Sequence, residues 1–226
     1  MIKTELHAHT SDDPADRIPH DTDALLRRAS AAGYGALAIT LHNRWFDPAP
    51  WQARASALGL VLLSGVERTI AGKHLLLINF PRESETVPDF SALRQLRVSA
   101  PAGLVIAPHP FFPIPSALGP LMDSVVDLVD AVELSAMYVR GVDYNRPAVA
   151  WAAKHHKPLV GNSDLHRLDQ LGTTWSMVES APDPDAICAA IKAGSVTVET
   201  RRLGWLRAAW TFARMEIGGW GGGHLR

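Results

Sequence analysis

Short apolar runs that end in histidine, aspartate or glutamate recur along this chain, and this recurrence limits its fold more than any other feature. The first run, Ile2-Lys3-Thr4-Glu5-Leu6, leads into His7-Ala8-His9-Thr10. Ala36-Leu37-Ala38-Ile39-Thr40 ends at Leu41-His42-Asn43, and Leu60 to Ser64 ends at Gly65-Val66-Glu67. Leu104 to Ala107 ends at Pro108-His109-Pro110, Ala131 to Leu134 carries Glu133 at its end, and Pro158 to Gly161 delivers Asn162-Ser163-Asp164-Leu165-His166. One more run, His74 to Ile78, begins with a histidine. Apolar runs of this length bounded by turn formers read as buried strands.

Helical patterns separate the strands. Asp21 or Thr22 caps a segment with Leu25, Leu26 and Ala29 on one face, closed by Gly33. Further helices are expected over Pro50 to Leu58, through Leu93, Leu96 and Val98, and from Arg146 to His155. Alternating strands and helices argue for an α/β fold on parallel strands, in which catalytic groups gather at the strands' C-terminal ends.

Composition narrows the function classes. The 226 residues suit one domain with a sizeable core, since 47% are apolar and 20% charged. A formal net charge of −1 supplies no whole-protein field for nucleic acid or an anionic membrane, so nucleic acid is not favoured as a partner. Cys188 is the only cysteine, which excludes an internal disulfide, and it is expected in a helix as core. No basic segment with an apolar run opens the chain, and no stretch of about 18 uninterrupted apolar residues occurs, so a cytoplasmic protein without a membrane span is expected.

Residues two apart on a strand point the same way, so His7 and His9 can reach one divalent ion. The next loop, Thr10-Ser11-Asp12-Asp13-Pro14-Ala15-Asp16, can bring a hard oxygen ligand to the same place. His-x-His alone is weak, because two polar residues at a strand end also occur without a metal. His20 precedes a helix and reads as structural, His155 and His156 lie near a helix end and read as making solvent or C-terminal dipole contacts, and His224 lies in the tail. Trp45 and Trp51 follow the second histidine motif and read as packing residues or as a pocket wall.

Together the motifs His7-Ala8-His9-Thr10, Ile39-Thr40-Leu41-His42-Asn43, Gly65-Val66-Glu67 with His74, Pro108-His109-Pro110 and Asn162-Ser163-Asp164-Leu165-His166 resemble those of the PHP (polymerase and histidinol phosphatase) superfamily of metal-dependent phosphoesterases. They stand in the family's order over residues 1–198. The resemblance implies a single domain built as a distorted (β/α)7 TIM-like barrel, with residues 199–226 forming a C-terminal amphipathic helix and Gly-rich tail. It also implies two or three divalent metal ions, Mn, Fe or Zn, at the barrel's C-terminal face. Carried over, His7, His9, Glu67 and Asp164 hold one metal, and Glu67 bridges to a second bound also by His74 and His109. A third uses His42, His166 and an aspartate of the loop after His9, with Asp13 the first choice, Asp12 the second and Asp16 the third.

Two departures stand out. The family commonly has aspartate before the histidine of its second motif, where this chain has Leu41, a loss that would weaken a metal or remove a partner of a ligand imidazole, with Asn43 a partial substitute. Glu133 occupies a usually acidic strand-end position, but the asparagine often following it is replaced by Ser135-Ala136-Met137.

The expected chemistry is hydrolysis of a phosphate ester of a small metabolite or nucleotide. Metals about 3.5–4 Å apart make hydroxide available near neutral pH and neutralise the phosphoryl oxygens. Asp164, His166 and Glu67 are the catalytic candidates, with Asp164 or His166 assisting protonation of the leaving oxygen. Among arginines in or beside strand-end loops (Arg17, Arg44, Arg68, Arg140, Arg167), Arg44 and Arg140 are the preferred phosphate partners. Substrate specificity is expected from the loops Thr69 to Lys73 and Phe111 to Leu118. The rival readings are a nuclease or exonuclease on short oligonucleotides and a non-catalytic metal-binding module, the latter supported by Leu41. The stretch Leu203 to Met215 reads as an amphipathic helix that closes the barrel, with membrane-surface or partner binding as the alternatives, and Gly218 to Gly223 as a disordered end.

Overall fold

The computed structural model describes residues 1–210. Its strands are β1 (Ile2–Glu5), β2 (Ala36–Ala38), β3 (Val61–Leu63), β4 (Gly65–Ile70), β5 (Lys73–Ile78), β6 (Leu104–Ala107), β7 (Ala131–Ser135), β8 (Leu159–Asn162), β9 (Thr174–Val178) and β10 (Val196–Thr200). Between them run α1 (Thr22–Ala31), α2 (Gln52–Ala57), α3 (Phe90–Ser99), α4 (Asn145–Lys154) and α5 (Pro184–Lys192). Aspartate side chains cap three of the helices: Asp21 accepts from Ala24, Asp89 from Ala92 and Asp183 from Ala186.

The strands form two mixed five-stranded sheets, ordered β10-β9-β1-β2-β3 and β4-β5-β6-β7-β8. β1, β2 and β3 run parallel, as do β6, β7 and β8, which agrees with the alternating strand and helix pattern. The expectation of parallel strands throughout needs correction. β5 pairs antiparallel with both β4 and β6, and β9 pairs antiparallel with both β1 and β10. The physical cause at β4–β5 is a two-residue turn, Ala71-Gly72, with both φ angles positive (51° and 74°), which reverses the chain directly. Parallel neighbours would need a long crossover.

Backbone bridges join the two sheets. Ala8 faces Leu165 in parallel, with His9 N donating to Leu165 O and Leu165 N to His7 O. His42 faces Glu67 likewise, with Asn43 N donating to Glu67 O and Glu67 N to Leu41 O. An apolar cluster draws on both sheets: Ala36, Ala38, Leu63, Leu76, Ile78, Leu104, Ile106, Val160 and Val178 pack with Ile187, Cys188 and Ile191 of α5. The period of two along β5 and β6 sends Leu76, Ile78, Leu104 and Ile106 into this cluster, and Leu75, Leu77, Val105 and Ala107 toward the one that includes Leu93, Trp151 and Ala152 of α3 and α4. Cys188 is buried as expected, and burial pushes its thiol up to about 12.

At the C-terminal side, β10 runs through the boundary expected at residue 198. A helix then occupies residues 205–210; Leu203 and Ala208 pack with Val139, while Leu206 is 90% and Trp210 58% exposed. The part of the expected amphipathic helix beyond Trp210, and the Gly-rich tail, lie outside the described residues. No described helix is long and apolar enough to cross a membrane.

Leu41 has a packing role. It is 2% exposed, in the apolar cluster that includes Ala8, Leu25, Leu165 and Leu171, so a carboxylate there would be buried among hydrocarbon. Leu41→Asp is therefore expected to destabilise the fold by on the order of 3 kcal/mol in denaturant unfolding, without adding metal.

Candidate metal centre

Six imidazoles and five carboxylates converge at one end of the sheets. β4 and β5 supply Glu67 and His74. Thr69 faces His74 directly across the hairpin and Glu67 faces Leu76, so Glu67 and His74 are diagonal neighbours on one face, and Glu67 Oε1 lies 2.6 Å from His74 Nδ1. His7 and His9 follow β1, His42 follows β2, His109 follows β6, and Asp164 and His166 follow β8. His109 and Asp164 are held at positive φ (30° and 48°), a conformation costing roughly 1–3 kcal/mol each that the surrounding structure must impose.

Glu67 is the hub. Its Oε2 is 3.2 Å from His7 Nε2, 3.3 Å from His9 Nε2 and 3.3 Å from His42 Nε2. Its Oε1 faces His74 and, at 3.5 Å, His109 Nε2. Asp164 Oδ1 stands 3.2 Å from His7 Nε2, 3.5 Å from His9 Nε2 and 3.4 Å from His166 Nδ1. Burial opposes ionisation of both carboxyls, but the imidazoles around them outweigh it and hold both well below the usual carboxylate range. The reverse holds for His7 and His9. Burial disfavours their charge, yet Asp164, Glu133 and Glu67 around His7, and Asp13, Asp164 and Glu67 around His9, raise both well above the ordinary imidazole value. A cation entering the cluster must displace those protons.

A further ring of groups orients the imidazoles. Glu133, fully buried, contacts His7 Nδ1 at 2.9 Å and accepts from the His109 backbone N–H at 2.7 Å and Asn162 Nδ2 at 3.0 Å. Asp13 Oδ2 contacts His9 Nδ1 at 2.9 Å and His42 Nδ1 at 3.0 Å, while its Oδ1 accepts from the backbones of Ala15 and Asp16. His20 Nε2 donates to the backbone carbonyl of His9, a structural role as expected. Carboxylates on the far nitrogen of an imidazole fix its tautomer and aim the other nitrogen inward.

Of the three candidate aspartates, Asp13 has both oxygens engaged by this scaffolding. Asp16 lines the central cavity, with Oδ2 3.1 Å from His166 Nε2 and 3.6 Å from His42 Nδ1. Asp12 is exposed and offers its backbone carbonyl to Arg44.

The cavity above the cluster measures about 370 Å³. Asp16, His42, Glu67, His74, His109, Asp164 and His166 line it, with Thr69, Gly72 and Ile114 to Ser116 from the two loops expected to set specificity. No lysine or arginine is among its described lining residues. Arg44 and Arg140, expected to hold phosphate, both lie elsewhere: the Arg44 guanidinium is drawn to the Asp12 carbonyl, and Arg140 stands with Arg202 and Trp205 in a separate pocket. Trp45 is likewise turned away, its indole N–H donating to Phe80 O. His155 meets Asp123 and the Trp151 ring, away from the cluster.

These residues fit divalent ions. Donor atoms of His7, His9 and Glu67, of His7, His109 and Asp164, of His9, Asp164 and His166, of His9, Asp13 and His42, and of His42, Glu67 and His74 each lie within 4.8 Å of one another. His9 Nε2 is buried without an aligned hydrogen-bond partner, although two carboxylate oxygens lie within 3.5 Å, an arrangement suited to a shared cation. Mixed imidazole and carboxylate donors suit first-row divalent metals.

Comparison with known proteins agrees with this architecture. A family model described as PHP-associated matches residues 143–196. No curated protein matches the chain. Among solved structures, a two-domain protein from Bacteroides vulgatus containing a predicted PHP-like metal-dependent phosphoesterase superposes with a TM-score of 0.66 at 16% identity, covering 95% of this chain and 69% of that one. PsfC from Pseudomonas syringae superposes at 0.64 with 16% identity and 96% coverage of each chain. The lesion-specific endonuclease Q of Pyrococcus furiosus gives 0.54 at 16% identity, over 87% of this chain and 57% of that one. At these identities the likeness to solved structures is one of fold. The PHP-associated segment and the ordered set of histidines and carboxylates agree with the resemblance to the PHP superfamily read in the sequence, and the solved structures add the likeness of fold to PHP-like proteins.

Proposed function

We propose that the chain is a metal-dependent phosphoesterase acting on a phosphate ester of a small metabolite or nucleotide. The observation that carries this reading is Glu67, a buried carboxylate whose two oxygens face two different sets of imidazoles. A bridging ligand needs that division. On this assignment His7, His9, Glu67 and Asp164 hold one ion, and Glu67, His74 and His109 a second. His42 and His166 hold a third with Asp16, which takes the place first expected of Asp13 because Asp13 is committed to His9 and His42. Two or three divalent ions of Mn, Fe or Zn would supply Lewis acidity toward the phosphoryl group and the attacking water.

The chain's own groups do the positioning. Glu133 and Asp13 hold the outer imidazole nitrogens, so the inward-facing ones are aimed at the cavity and are the ones that give up their protons to a bound cation. The expected proton donors, Asp164 and His166, stand 3.4 Å apart at the cavity wall, but both are ligands on this assignment and Asp164 is held ionised by the imidazoles around it, so neither is free to protonate the leaving oxygen while the ions are bound. The sheets, bridged at Ala8–Leu165 and His42–Glu67 around a common apolar cluster, support reading residues 1–198 as one distorted barrel-like domain with residues 199–226 appended.

A nuclease acting on short oligonucleotides is the second reading. It is favoured by the fold likeness to endonuclease Q, which has also been solved in complex with a 27-mer duplex containing an abasic lesion. The absence of cationic side chains among the described lining residues weighs against a polyanionic substrate. It also leaves recognition of a phosphoryl group to the ions. A non-catalytic module is disfavoured because the donors face an open cavity, which a purely structural site does not need.

His9→Ala and Asp164→Ala are expected to lower metal-dependent hydrolysis of a panel of phosphate monoesters at least about 100-fold with an unchanged circular dichroism spectrum. Wild-type rates in both variants would refute the assignment. Asp16→Asn is expected to remove one ion from the full complement in elemental analysis. Asp13→Asn should instead weaken metal affinity about 10- to 100-fold while leaving the saturating stoichiometry intact.

A further inference from the structure

A second cavity, of about 280 Å³, adjoins the metal-centre cavity. The two share Ile114 as a wall. Its lining is apolar and aromatic, including Phe112, Met137, Tyr138, Tyr144 and Trp205, and no charged side chain contributes among the described residues. A relay of rings leads into it from the cluster. The His109 and Phe112 rings meet edge-on at 6.2 Å between centroids, the Phe112 and Tyr144 rings lie at 5.4 Å, and the Phe112 backbone N–H donates to the His109 carbonyl. One wall of the apolar cavity is thereby fixed to a member of the cluster.

Tyr144 and Trp205 are 40% and 61% exposed, so these rings are not consumed by the core. Flat, rigid side chains that border a cavity without filling it favour an aromatic guest, which meets them edge-on or offset. Among the described residues, charge recognition is absent from both cavities apart from the cluster itself. The shared Ile114 wall and the His109–Phe112 contact set which part of a ligand would sit there. We propose that the second cavity is a substrate subsite that receives an aromatic ring carried by the leaving alcohol of the phosphate ester, with Tyr144 and Trp205 as specificity-determining residues. The inference rests on the phosphoesterase reading and deepens it to a substrate class.

The test compares ethyl phosphate with 2-phenylethyl phosphate on the full chain reconstituted with Mn, Fe or Zn. Their leaving alcohols are of similar acidity, so the ratio of kcat/KM reports the ring alone. Burying a phenyl group predicts a ratio of about tenfold or more in favour of the phenyl ester. The ratio should fall toward unity in Tyr144→Ala and Trp205→Ala, and being a ratio it does not depend on how much of each variant folds. A wild-type ratio near one overturns the subsite and leaves the phosphoesterase reading standing. So does a high ratio untouched by both substitutions. A ratio near one that rises only when residues 211–226 are removed gives the cavity to the chain's own C-terminal segment and also overturns the proposal. Hydrolysis of neither ester with any of the three metals counts against the phosphoesterase reading itself, and the subsite falls with it.

Discussion

A single buried carboxylate facing five imidazoles is the constraint on which the rest of this structure depends. Glu67 is 1% exposed, and a lone ionised carboxylate at such depth would be costly. His7, His9, His42, His74 and His109 offset that cost, and four separate stretches of backbone must deliver them. The same residue stitches the fold. Its backbone N–H and carbonyl bond to Leu41 and Asn43, forming one of the bridges between the two sheets. The seam and the site are therefore one feature, which couples metal binding to the relative placement of the sheets.

The surroundings of the cluster follow from that coupling. Glu133 and Asp13 are spent on orientation, each holding the outer nitrogen of at least one imidazole. His109 and Asp164 sit at positive φ, a local cost borne where donors must turn inward. With five carboxylates so close to six imidazoles, proton sharing satisfies the cluster before a cation arrives. Raised imidazole and depressed carboxyl values are the two faces of that arrangement. Metal affinity must then fall with acid, since ligand protons compete with the ion.

Much of this was legible in the sequence, because strand ends are marked by local pattern. His7, His9, His42, His109, Asp164 and His166 each follow an apolar run, and all of them reach the site. The β4–β5 hairpin was less visible. Glu67 reads as the end of a strand, but it lies inside β4, and the signal was the Ala71-Gly72 pair between two alternating segments. β9 and β10 carry a fainter signal, since only the alternation of polar and apolar residues from Thr174 to Val178 marks a half-buried strand there. The aspartate loop shows where one-dimensional reading stops. Asp13 precedes a proline and accepts from the next backbone N–H groups, so turn chemistry ties it down while Asp16 faces the cavity. Long-range relations were hidden too: the guanidinium of Arg44 is captured by a carbonyl 32 residues away, and Arg140 points to a separate pocket.

The most direct test of the account is elemental analysis of the chain purified without chelator, run beside Glu67→Gln. The amide keeps the size of the side chain but cannot bridge two cations as a carboxylate does. The account predicts two or three first-row ions per wild-type chain and at most one in the variant. Equal metal content in both, or a metal-free wild-type chain even after reconstitution with manganese, iron or zinc, would contradict the claim that Glu67 organises a multimetal centre.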